Sequence, residues 1–176
     1  MTIKSKLSKA VVALILAGAP AYMISDQFLQ EKEGMRLKAY RDGGGIWTIC
    51  LGHTAGVKPG DTATPEQCAA WARQDIEPAI KRVEQLTPVA LTEPQKAGIA
   101  SFCFFNLGET KCRRNANGTP TRFWSAWMAG DMKNACAQIP NWIYDGGRDC
   151  RIRSNNCYGQ VERRAQEAEL CRYGLK

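Results

Sequence analysis

Eight cysteines, all lying between Cys50 and Cys171, constrain this chain more than any other feature. They are Cys50, Cys68, Cys103, Cys112, Cys136, Cys150, Cys157 and Cys171, and no two form a CxxC pair. With a single histidine, His53, the spacing of a zinc site is absent as well, so no metal is expected. An even, scattered set of cysteines suits disulfides formed in an oxidising compartment; eight buried thiols in a cytosolic protein is the competing reading. Cys150 and Cys157 bracket a polar loop and are expected to pair with each other, whereas the other six have no pairing readable from the sequence.

At 176 residues the chain allows one compact domain, in one or two lobes. Lys and Arg exceed Asp and Glu by 24 to 17, a net +7 that favours an anionic partner. The charge is diffuse: from Glu109 to Lys176 twelve Lys/Arg face seven Asp/Glu, with no basic run and no nucleic-acid motif, so no nucleic-acid partner is expected.

The N-terminus reads as an export segment. Lys4, Lys6 and Lys9 precede the uncharged run Ala10–Ser25, and Asp26, Glu31 and Glu33 follow it. That order predicts an N-terminus left in the cytoplasm and a translocated remainder. Ala10–Ile24 is 15 residues, roughly 22 Å of helix at 1.5 Å per residue, against about 30 Å of bilayer hydrocarbon. Seven of the 15 are Ala, Gly or Pro, which gain little from burial in lipid. Both a cleaved signal peptide, cut at Ala17-Gly18-Ala19 or Ala19-Pro20-Ala21, and an uncleaved but weakly held anchor fit these residues. The expected division is an export or anchor segment, 1–26, and a folded domain, 27–176.

In the folded part, a helix through Phe28 and Leu29 to Glu33 should end at Gly34. Leu37–Tyr40 and Ile46–Leu51 then read as two strands around the turn Gly43-Gly44-Gly45. This places a carboxylate at a helix end, Glu33, opposite one at a hairpin turn, Asp42. Two acids in different environments suit chemistry that needs one protonated and one ionised, glycoside hydrolysis above all. Two solvated charges beside a glycine turn is the plain alternative.

Glu33, Asp42 and Thr48 stand as Glu-x8-Asp-x5-Thr, with Gly34 after the Glu and Gly52-His53 after the Thr. This segment resembles the active-site segment of the phage-type lysozymes, the muramidase endolysins of bacterial viruses. Ser101-Phe102-Cys103-Phe104-Phe105-Asn106-Leu107-Gly108 resembles the family's long helix facing the cleft, and Gly159-x3-Arg163-Arg164-x2-Glu167-x2-Leu170-Cys171 its C-terminal helix. The likeness runs from about residue 27 to the end. It implies an α+β, mostly helical, two-lobed lysozyme-like fold, with a small β-hairpin lobe and a helical C-terminal lobe. It implies Glu33 as general acid at the glycosidic oxygen, Asp42 as the carboxylate that stabilises charge or activates water, and Thr48 as the residue positioning that water. Phe105 and Asn106 would line the sugar groove, and Thr121 with them; His53 would be a hydrogen-bonding residue beside the cleft. No cofactor is implied, since carboxylates and water suffice.

Joined to that domain, the N-terminal segment resembles the signal-anchor-release endolysins. These are exported, held inactive in the host inner membrane, here through residues 10–25, and freed when a holin or pinholin depolarises the membrane. The resemblance implies a peptidoglycan substrate, a monomer, and a periplasmic enzyme that lyses its host. Some relatives carry a cysteine in the span for disulfide exchange on release; this span has none. Two rival functions remain open. A lytic transglycosylase would cut the same bond with Glu33 alone, and a cell-wall-binding protein would not turn over at all.

Elsewhere, Thr64-Pro65-Glu66-Gln67 and Thr92-Glu93-Pro94-Gln95 are capped helix starts. The first helix should run from Pro65 to about Leu86, kinked or interrupted near Pro78. Asn115–Pro120 and Asp145–Asn156 read as loops, and Trp124, Trp127, Trp142 and Tyr144 as a packing cluster.

Overall fold

The computed structural model of the protein describes residues 5–175; the side chain of Glu33 also lies outside the described residues, as does Lys4 of the basic N-terminal stretch. The uncharged N-terminal run is two helices. α1 (Lys9–Leu16) is capped by Ser8, whose side chain accepts the Val11 N–H. Gly18 then takes φ 71, and Pro20 is the extended N-cap of α2 (Ala21–Glu33). Gly18 and Pro20 break the helix of this run, because Gly supplies the left-handed turn and Pro disfavours helix at the residue before it. Among the described residues no helix is long and apolar enough to cross a membrane.

Gly34, at φ 68, ends α2 where the sequence places the stop. The chain turns into β1 (Arg36–Arg41) and β2 (Trp47–Cys50). They pair antiparallel as Arg36↔Cys50, Tyr40↔Thr48 and Arg41↔Trp47, with a bulge between Arg36 and Tyr40. β2 and the following loop bury Ile49, Cys50 and Cys68 in a small core flanked by Val57, Ala63 and Trp71.

α3 (Pro65–Leu86) begins on a full capping box at Thr64 and Gln67 and runs through Pro78 without interruption. The expected break is absent because the helix is held along its length by one buried face, from Cys68 and Ala72 through Ile76, Ala79 and Ile80 to Val83. Cys68 belongs to the small core, Ile76, Ile80 and Val83 to the large one, so α3 joins two lobes.

The large core gathers α4 (Glu93–Ala100), a π-helical turn (Ser101–Asn106), α5 (Glu109–Arg113), α6 (Arg122–Met128), α7 (Met132–Gln138) and α8 (Tyr158–Arg172). A two-residue hairpin, Tyr144–Asp145 with Arg148–Asp149, interrupts the second expected loop. Trp127 is fully buried and Trp124 nearly so, and Trp142 meets Phe102 edge-on, whereas Tyr144 stands 61% exposed outside that packing. α4 and α8 approach closely at Gly98, where a Cβ would lie 2.8 Å from Leu170 Cβ and 2.9 Å from Cys171 N.

Val11 and Ile15 of α1 lie in this same core with Ile24 and Phe28 of α2. The division expected between residues 26 and 27 therefore falls inside α2. Disulfides join Cys50–Cys68, Cys103–Cys112, Cys136–Cys171 and Cys150–Cys157. Among the described residues no cysteine is free.

Candidate active site

Glu33 closes α2, three residues before β1. Asp42 follows β1 directly at the glycine turn. Its Oδ1 accepts the backbone N–H groups of Gly44 and Ile46, each at 2.9 Å, and its own N–H donates to the Ile46 carbonyl at 3.0 Å. The turn thereby holds one carboxylate oxygen, while Oδ2 makes no hydrogen bond among the described residues. Thr48 is buried on β2 and its hydroxyl donates to the Ile46 carbonyl at 3.0 Å, leaving oxygen lone pairs available to accept.

His53 lies beyond the end of β2, and its N–H and carbonyl both pair with Ile49. Its ring stacks on Trp71 at 4.9 Å between centroids, 5° from parallel, and its Nδ1 sits 2.9 Å from Asp75 Oδ2. Asp75 and Trp71 are partners of His53 that the sequence does not announce. Their i,i+4 spacing on α3, which puts both on one face, was the available signal. His53, Asp75 and Phe105 line a cavity of about 180 Å³ with Leu29, Cys50 and Ile76. It adjoins the hairpin through Cys50, two residues from Thr48.

Phe105 and Asn106 end the π-helical turn, both half-buried. This turn, where the resemblance implies a long helix, widens each turn by about one residue and so rotates the side chains that follow it. Cys103–Cys112 ties it to α5. Thr121 stands apart from these groups: it is buried as the N-cap of α6, accepting the Trp124 N–H at 3.1 Å and donating to the Cys112 carbonyl at 2.6 Å. It lines a different cavity, with Asn115 and Trp142.

α8 buries Glu167, which accepts from Ser101 at 2.6 Å, Arg163 at 3.2 Å and Arg164 at 3.0 Å. Burial pushes the Glu167 carboxyl above its ordinary range against the pull of the two arginines. It also brings the Arg164 guanidinium down to about 10.

Two cores bridged by one long helix, with a carboxylate-bearing hairpin directly after an acid-ended helix, define a lysozyme-like protein. The family model described as phage lysozyme matches residues 30–167, and the chain belongs to that family of muramidase-type, peptidoglycan-degrading enzymes. It is 54% identical over 173 residues to the SAR-endolysin of Escherichia phage 933W, covering 96% of this chain and 94% of that protein. It is 53% identical over 180 residues to a probable prophage lysozyme of Escherichia coli strain K12, covering 99% and 97%. Among solved structures it resembles the active form of the P1 phage endolysin Lyz, with a TM-score of 0.72, 25% identity, and 99% and 98% of the two chains covered.

Proposed function

We propose that this protein is an endolysin that hydrolyses the β-1,4 bond between N-acetylmuramic acid and N-acetylglucosamine in peptidoglycan and so lyses its bacterial host. Glu33 protonates the glycosidic oxygen. Asp42 faces the developing oxocarbenium charge and activates water, and Thr48 positions that water. The reading is carried by the hairpin: the turn fixes Asp42 Oδ1 through two backbone N–H groups and leaves Oδ2 for the reaction. His53, Phe105 and Asn106 supply the groove wall. Thr121, whose hydroxyl is engaged on both sides, lies apart from that wall and caps α6.

Residues 10–25 serve first as the membrane segment of an exported, single-pass precursor with a cytoplasmic N-terminus. Release follows depolarisation by a holin, and the freed monomer works in the periplasm. The packing of Val11 and Ile15 against α2 and the similarity to SAR-endolysins support this order.

Mass spectrometry of products from purified peptidoglycan tests the chemistry, with the full chain compared against Glu33→Gln. Reducing-end muropeptides from wild type alone are expected. Anhydro products, one water lighter, would make the enzyme a transglycosylase, and no products from either would leave a binding protein.

A further inference from the structure

Some arginines of this molecule meet a carboxylate, and others, Arg122, Arg153 and Arg172 among them, meet none among the described residues. Arg73, Arg82, Arg113, Arg148, Arg151 and Arg164 each meet a carboxylate. On β1, Arg36, Lys38 and Arg41 meet none among the described residues. Two of these cations are nonetheless held in place. The Arg36 guanidinium lies over the Tyr40 ring at 4.3 Å, and that of Arg41 over Trp47 at 5.3 Å. A guanidinium stacked on an aromatic face keeps its N–H edge outward, ordered and able to grip a carboxylate with two parallel hydrogen bonds.

The two pairs are not equivalent. Tyr40 is the cross-strand partner of Thr48, and Arg36 that of Cys50. Directly paired residues share a face of a hairpin, so the Arg36–Tyr40 pair lies on the face of Thr48, whereas Arg41 and Trp47 lie on the other. The substrate supplies the matching charge. The glycan is neutral at the scissile bond, but each muramic acid carries a peptide with free carboxylates.

We propose that Arg36, ordered by Tyr40, binds a stem-peptide carboxylate of peptidoglycan and is a specificity-determining residue of this enzyme. The proposal rests on the muramidase reading above. Arg36 acts on binding: it holds the muramyl unit by its peptide while the sugar ring lies at Asp42 and Thr48.

Purified sacculi, native or with stem carboxylates converted to amides by carbodiimide and ammonia, test this. Amidation is expected to raise the wild-type KM roughly ten- to hundredfold, the range of a lost charge-assisted hydrogen-bond pair, with kcat little changed. Arg36→Gln should show a comparable KM on native sacculi and scarcely respond to amidation. Arg36→Lys, which keeps the charge without the fork, should fall between, and Tyr40→Leu, which removes the aromatic face under Arg36, should raise KM toward the Arg36→Gln value. Lys133→Gln removes the same unit of charge at a distant exposed position and should retain full sensitivity to amidation. The proposal is overturned if wild type ignores amidation, if the losses from amidation and from Arg36→Gln multiply, or if Lys133→Gln loses sensitivity as Arg36→Gln does. Failure of the wild type to release reducing-end muropeptides from native sacculi would instead overturn the muramidase reading itself.

Discussion

Asp42 is held by its own turn, and the turn depends on glycine. Gly45 sits at φ 79, where a side chain costs about 1–2 kcal/mol, and its N–H bonds the Asp42 carbonyl at 3.0 Å. Gly45→Ala is therefore expected to lower activity more than stability, measured as turnover of sacculi beside a urea titration. Glu33→Gln and Asp42→Asn keep shape and lose the ionisable group, so each should reduce kcat by roughly 10²–10⁴, the usual contribution of acid–base catalysis. Both variants should melt with the wild type. A different residue reports on pH. Glu109 accepts two hydrogen bonds from Arg82, at 2.8 and 3.1 Å, and these hold its carboxyl below the ordinary range. A depressed carboxyl contributes stability above its unfolded pKa that is lost as pH falls through the folded one. The Tm gap between wild type and Glu109→Gln should thus be present at pH 7 and close below about pH 4.

Among the elements, the α4–α8 contact and the π-helical turn each depend on a single local feature. Gly98 lets α4 approach the α8 backbone, and a Cβ there would meet Glu167 O at 2.9 Å as well as Cys171 N. Backbone atoms cannot move aside as a side chain would, so Gly98→Ala should cost about 1–3 kcal/mol by overpacking, read from urea unfolding. The π-helical turn is tied across nine residues by Cys103–Cys112. Replacing both cysteines with Ser should cost about 2–3 kcal/mol in loop-closure entropy. It should also raise KM, because Phe105 lies inside the tied segment. An unchanged KM would mean that the turn holds its shape without the bond.

Over the whole molecule, the N-terminal segment belongs to the fold. Val11 is fully buried and Ile15 is 8% exposed, each contributing about 1.5–3 kcal/mol through burial. The ends of the segment are also tied down. Glu169 of α8 accepts the Lys6 N–H at 2.8 Å, and Glu93 of α4 accepts the Ala21 N–H at 2.7 Å. Deleting residues 1–19 is expected to lower stability by a few kcal/mol after the chain entropy of ordering α1 is set against it, on the order of 10 °C in Tm. An unchanged Tm would mean that the segment adds nothing to the stability of the fold.

Local chemistry was legible wherever the decisive partner lay a few residues away. The stop at Gly34, the capping boxes at Thr64 and Thr92, the glycine turn under Asp42 and the helix–hairpin order of Glu33, Asp42 and Thr48 each depend on neighbours in sequence, and there the sequence alone determined the outcome. What it left open depends on distance in the chain. Pro78 predicts a kink or an interruption because a missing N–H is a local cost, whereas the buried face that carries α3 through it without interruption is assembled with the rest of the core. Asp75 reaches His53 from 22 residues away, Arg36 finds Tyr40 across a bulge, and three disulfides join cysteines whose spacing says nothing of their approach. The N-terminal run shows the division most clearly. Its composition predicts a weak hold in lipid, but only the tertiary structure decided where else it could go, because the large core that receives Val11 and Ile15 is assembled from elements far apart in the chain.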